Sequence, residues 1–205
     1  GTDPERLLLL TFSRRAAREM GSRARRIVAR ALAARSGRPE GDVRLPWAGT
    51  FHAMANRLLR EYAPNLGLDP SFSVLDRGDA ADLMDVVRHL LDFSGTRKRF
   101  PRKDTCLAIY SRTVNSRRDL GEVLEAAWPW CLDWEGELRT LFRSYAEAKL
   151  ASAALDYDDM LLYWCHLMSE PDLAAAVAAR FDQVLVDEYQ DTNVLQAEIL
   201  RALSP

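Results

Sequence analysis

The chain has 205 residues, of which 48% are hydrophobic and 28% charged, with a net charge of −2. That is enough apolar matter for one well-cored domain, or for one domain carrying an insertion. No run approaches the ~18 apolar residues of a membrane span and nothing resembles a signal peptide, so no membrane partner is expected. Cys106, Cys131 and Cys165 are widely spaced and odd in number, which fits neither a disulfide framework nor a zinc site and makes a reduced, cytoplasmic setting the expectation. His52, His89 and His166 are too few for a histidine-rich metal centre. The small net charge hides an asymmetry. Residues 1–65 hold 13 Lys+Arg against 6 Asp+Glu, and residues 66–205 hold 15 against 24. The basic end is the candidate phosphate-facing surface.

Leu7 to Phe12 is a short apolar run suited to a buried parallel strand. Ser13 is an N-cap for the helix that follows. Ala16, Ala17, Met20, Ala24, Ile27, Val28 and Ala31 form one face of it, and Arg14, Arg15, Arg18, Arg25 and Arg26 decorate the rest. A strand running into a helix N-terminus offers backbone N–H groups and arginines to a phosphate. Phe12, at the strand end, offers a ring to a base. As a pattern alone, a core Phe12 and solvated arginines are equally good readings.

Ser36 to Gly41 is a loop by composition. Leu45 to Phe51 reads as a second short strand, and His52 opens a helix through Met54, Leu58 and Tyr62 that Pro64 stops. Thr50 and His52 lie at the strand end, where a hydroxyl and an imidazole bond phosphate oxygens without reading sequence.

Phe72 to Asp76 looks like a boundary strand, after which helices follow with no convincing strand until Gln183. Residues 94–103 form a basic connector with Arg97, Lys98, Arg99, Arg102 and Lys103. Trp128, Trp130 and Trp134 are expected in a small helical core. A long amphipathic helix carries Leu138, Leu141, Phe142, Tyr145 and Ala148. In Leu155-Asp156-Tyr157-Asp158-Asp159, Asp156 is expected to cap a helix, and the acidic residues suit its positive end without any metal.

Gln183 to Asn193 is the most informative stretch. Val184 to Val186 reads as a buried strand, and Asp187 and Glu188 sit where it ends. Asn193 with Gln196 has the form of a capping box. Ligands of open α/β sheets bind outside the carboxyl ends of the strands. Mg²⁺ takes oxygen ligands and keeps several waters, so one or two carboxylates suffice, and the neighbouring carboxylate could orient or deprotonate a water.

Four strings together resemble the superfamily 1 DNA helicases of the UvrD, Rep and PcrA type. Thr-Phe-Ser-Arg-Arg-Ala-Ala-Arg-Glu-Met looks like motif Ia and Gly-Thr-Phe-His like motif Ib, both DNA-contacting elements of the family. Leu-Asp-Tyr-Asp-Asp-Met resembles the segment that precedes motif II, and Asp-Glu-Tyr-Gln-Asp-Thr-Asn resembles motif II, the Walker B element. The resemblance implies an α/β fold: part of a RecA-like P-loop NTPase parallel sheet with a large, mainly helical inserted subdomain. It places the first part of the RecA-like domain at residues 1–75, the insertion at 76–180 and the return at 181–205. It implies ATP and Mg²⁺ as cofactors, with Asp187 and Glu188 at the metal, Glu188 positioning the hydrolytic water, Asp187 and Gln190 at the nucleotide, and Gln190, with Glu188 one of the two catalytic residues, linking the γ-phosphate to the DNA-bound state. Thr11, Phe12, Arg14, Arg15, Thr50, Phe51 and His52 would meet DNA.

The family's P-loop, Gly-x-x-x-x-Gly-Lys-[Ser/Thr], does not occur, and no Gly here precedes a Lys. The expectation is a fragment of a 3′–5′ helicase whose partners are single-stranded DNA, duplex junctions and a second RecA-like domain of the same parent, in repair, replication restart or recombination. The fragment itself is expected to be inactive. A helicase–nuclease subunit of the RecB or AddA kind, or a non-catalytic nucleic-acid-binding module, are the alternatives.

Overall fold

The computed structural model describes residues 2–36, 43–93 and 100–203. The Gly37–Gly41 part of the expected loop and Arg97, Lys98 and Arg99 of the basic connector lie outside them. The chain divides into two compact units, residues 1–58 with 164–205 and residues 59–163.

The first unit is built on a three-stranded parallel sheet of order β2-β1-β5. Its strands are β1 (Leu7–Thr11), β2 (Ala48–Thr50) and β5 (Gln183–Val186). As the central strand, β1 is buried on both faces, with Leu8 and Leu10 at 0% exposure and Thr11 at 1%. A continuous apolar run is what such a strand requires. Helix α1 (Arg14–Ser36) follows β1 and begins as the sequence implies, with Ser13 Oγ accepting from Ala16 N at 3.0 Å. Met20, Ala24 and Val28 of α1 pack with Leu9, Val43 and Leu45. Helix α2 (Phe51–Tyr62) starts at Phe51, so the second strand ends one residue earlier than its apolar run suggests. Trp47 is buried, with the guanidinium carbons of Arg57 and Arg180 lying 3.9 and 4.6 Å from its ring and Phe181 edge-on to it.

The expected burial of Val184–Val186 is corrected. β5 pairs only with β1 among the described residues, so it is an edge strand, and Leu185 is 52% exposed.

The second unit is mainly helical. It contains α3 (Arg77–Leu90), α4 (Lys103–Ser116), α5 (Leu120–Ala127) and α6 (Glu135–Ala151). Met84, Ile109, Leu124, Leu138, Leu141 and Tyr145 centre its core, with Trp128 and Trp134 packed against it. Asp76 caps α3 in a reciprocal box with Asp79. Lys103, from the basic connector, pairs with Asp82. The sequence shows no strand between the boundary strand and Gln183, but there is one. β3 (Ser73–Val74) pairs in parallel with β4 (Ala154–Leu155). Two residues are too few for alternation to register.

Helix α7 (Tyr157–Ser169) follows β4, and its start joins a buried charge cluster. Asp156 caps it, its Oδ1 accepting from Asp159 N at 2.8 Å, while Asp159 Oδ2 accepts from Asp156 N at 3.1 Å. The same two carboxylates each lie 2.6 Å from Lys149 Nζ, which is 1% exposed. Tyr145 donates to Asp156 at 2.8 Å, and Lys149 donates to Tyr110 at 3.3 Å. Asp158 accepts from Ser111 and Asn115. The expected capping is therefore present, and the carboxylates also neutralise a buried cation that capping alone does not call for.

Candidate nucleotide and nucleic-acid edge

Parallel pairing brings three strand ends to one edge of the first unit. Thr11 is in register with Thr50, and Leu10 with Val186. The ladder continues one step beyond β5, where Asp187 N donates to Leu10 O at 2.9 Å. Neighbouring strands are ~4.8 Å apart, so Thr50, Thr11 and Asp187 span roughly 10 Å across the edge.

On the β1–β2 side, Thr50 Oγ1 accepts from Ala53 N at 3.2 Å and so caps α2, as Ser13 caps α1. Two helix N-termini with their orphan N–H groups thus open at adjacent strand ends. Arg14 and Arg15 are exposed on the first turn of α1, and Arg15 pairs with Glu19 at 3.1 Å. His52 is half-buried. Phe12 is half-buried with its ring 5.4 Å from that of Phe51, tilted by 36°. Phe51 is 1% exposed and stands 6.2 Å from Trp164. Thr11 and Phe51 are thus interior groups, and their side chains brace the edge from within. Of the two rings, Phe12 is the one that keeps exposed surface.

On the β5 side, Glu188 takes the left-handed conformation, φ 54°. A non-glycine residue there is uncommon and costs roughly 1–3 kcal/mol when the surroundings impose it. It turns the chain from the strand into the 3-10 turn Tyr189–Asp191. Asp187, Glu188 and Gln190 are all exposed, and the Gln190 amide donates to the Glu188 carboxylate. Tyr189, assigned no role from the sequence, is 58% exposed beside them. The expected capping box closes the turn: Asn193 N donates to Gln196 Oε1 at 3.0 Å and Gln196 N donates to Asn193 Oδ1 at 2.9 Å. Helix α8 (Pro171–Ala178) precedes β5, and helix α9 (Val194–Leu203) follows the turn.

Among the described residues no three His, Cys, Asp or Glu side chains gather to hold a metal. A pair of adjacent, exposed carboxylates nevertheless suits a hard cation that retains most of its waters. The donor set fits a largely hydrated Mg²⁺.

The whole described edge lies within one family match. The profile of the UvrD/REP helicase N-terminal domain matches residues 1–205. The chain belongs to this helicase family. Its relatives include the ATP-dependent DNA helicase PcrA of Leuconostoc citreum, 32% identical over 202 residues, covering 98% of this chain and 25% of that protein. The PcrA of Bacillus subtilis is 28% identical over 202 residues, with the same coverage of both chains. A probable DNA helicase II homolog of Mycoplasma capricolum is 26% identical over 206 residues, covering 98% of this chain and 26% of that protein. The chain therefore spans about a quarter of the length of these UvrD/Rep relatives. Its mixed α/β architecture with a parallel sheet agrees with the RecA-like fold of the family's N-terminal domain.

Proposed function

We propose that this chain is motor-domain sequence of an ATP-dependent DNA helicase that moves 3′ to 5′ along single-stranded DNA and opens duplex at a junction. The observation that best supports this is the alignment of three parallel strand ends on one edge. That alignment sets Phe12 and Thr50 on one side of the edge and Asp187 and Glu188 on the other. A motor that couples nucleotide state to strand movement needs the two ligand sites joined by stiff structure. Here β1 is the shared element.

On the DNA side, Phe12 would stack on a base, and its backing by Phe51 fixes the ring's height at the edge. Thr50, His52, Arg14 and Arg15 would bond phosphate oxygens, with Thr11 and Phe51 supporting them from the core. On the nucleotide side, Asp187, with Glu188 beside it, would hold Mg²⁺. Once bound, that ion neutralises charge on the phosphates of ATP. Glu188 would orient the hydrolytic water and accept its proton. Gln190, already bonded to Glu188, would carry the state of the γ-phosphate towards the DNA side. We assign residues 1–75 and 181–205 to the RecA-like domain and 76–180 to its helical insertion, with a second RecA-like domain of the same parent completing the ATP site.

Because this sequence contains no P-loop lysine, the chain alone should turn over no measurable ATP. Turnover that disappears in Glu188→Gln would contradict that expectation. The deciding experiment is fluorescence anisotropy of a labelled single-stranded oligonucleotide against the chain, Phe12→Ala and His52→Ala, at low and moderate salt. Weak, salt-sensitive binding lost in both variants is expected. Binding unchanged in both would remove the DNA half of the reading.

A further inference from the structure

Helix α1 carries seven arginines between Arg14 and Arg30 and one carboxylate, Glu19. All seven are exposed, and Arg15 spends its charge on Glu19. No carboxylate among the described residues pairs with Arg14, Arg18, Arg23, Arg25 or Arg26. Solvated helices mix both signs for solubility, whereas this one keeps a nearly pure positive field along its length.

The arrangement is also ordered. At about 100° per residue, Arg14, Arg18 and Arg25 form one row and Arg15, Arg23, Arg26 and Arg30 a second, roughly 120° away. Met20, Ala24 and Val28 occupy the remaining side and pack with Leu9, Val43 and Leu45. From Arg14 to Arg30 the helix rises about 24 Å. That matches about seven base pairs of duplex at 3.4 Å per step. A helix with its side chains is ~10–12 Å across, close to the ~12 Å width of the major groove of B-form DNA.

We propose that the outer face of α1 is a duplex-binding surface whose two arginine rows meet the phosphates of the two strands flanking one groove. A single strand presents one line of phosphates and has use for one row, so the paired rows favour duplex. Phosphate contact of this kind is tolerant of sequence. The surface extends well beyond the first turn of α1, where the strand-end reading stops, and does not depend on Phe12 or Thr50.

The test uses two double variants that leave Arg14 and Arg15 intact: Arg18→Gln with Arg25→Gln from the first row, and Arg23→Gln with Arg26→Gln from the second. Glutamine keeps helix propensity close to that of arginine, and circular dichroism checks the fold. Labelled duplex, single strand of the same length and anionic phospholipid vesicles are titrated across a salt series. Each double variant should weaken duplex binding about tenfold and lower the slope of log affinity against log salt by about 1.8, with single-strand affinity little changed. Equal losses for both nucleic acids, an effect from only one row, or preference for vesicles over duplex would overturn the proposal. Phe12→Ala should do the converse, losing single strand and keeping duplex, so failure of the strand-end reading would appear in the single-strand data alone.

Discussion

Replacing Lys149 by Met tests whether the second unit depends on a charge it has buried. Lys149 Nζ lies 2.6 Å from one oxygen each of Asp156 and Asp159, with side-chain exposures of 1%, 4% and 9% for the three residues. Its Nζ also lies over the rings of Tyr110 and Tyr145, 4.9 and 4.4 Å from their centroids. Met preserves most of the side-chain volume. What it removes is the cation, leaving two desolvated carboxylates facing each other. Breaking a buried pair in this way costs about 3–5 kcal/mol. For a chain of this size that is a fall of roughly 6–20 °C in Tm. Urea or thermal unfolding followed by circular dichroism at pH 7 measures it. The cost should shrink at pH 5, because burial already pushes the Asp159 carboxyl up to about 6 despite the opposing pull of Lys149. Adding Asp159→Asn to the Met variant should recover part of the loss by removing one of the two stranded charges. A Met variant within about 1 kcal/mol of the parent, or a double variant no better than the single, would refute the reasoning.

Three further outcomes follow from the same structure. Asp159 titrates higher when folded than its ordinary 3.8, so its stabilising contribution is full below that value and is lost as pH rises through about 6. Asp158 is displaced in the same direction by burial. Asp159→Asn should therefore flatten the stability profile between about pH 4 and 6, as denaturant midpoints across that range would reveal. Asn193→Ala removes the bond to Gln196 N and should cost about 1 kcal/mol, seen as faster hydrogen exchange in the first turn of α9. Leu185→Lys places a charge on the exposed face of the edge strand and should reduce any self-association measured by light scattering, since open strand edges pair with other chains.

Short-range chemistry was the most legible part of this fold. Ser13, Asp156 and the Asn193–Gln196 box each act across three residues, and each hydrogen bond that spacing implies is present. Strand existence was legible at Leu7–Thr11 because a central parallel strand is apolar throughout. Position within the sheet was not. Val184–Val186 has the same apolar character, yet strand order makes β5 an edge. Lys149 was missed although a signal existed. It lies four residues after Tyr145, on the apolar face traced by Leu138, Leu141 and Tyr145, where an exposed lysine has no place. Its partners are on the next strand–helix junction, so helical periodicity could show that it was misplaced but not what neutralised it.

The candidate edge divides along the same line. Motif strings put Phe12 and Phe51 on equal terms, each an aromatic at the end of an apolar strand. The registered pairing of β1 with β2 makes them unequal. Phe51 is the first residue of α2 and falls beneath the edge, at 1% exposure, while Phe12 lies on it. A base can stack only on an exposed ring, so in the proposed DNA site the stacking role falls to Phe12. Under that proposal Phe51 acts through Phe12. Phe51→Leu should keep the core filled but lower the platform, weakening single-strand binding less than Phe12→Ala does. If Phe51→Leu instead abolished binding while Phe12→Ala spared it, the order of the two rings at this edge would have to be reversed.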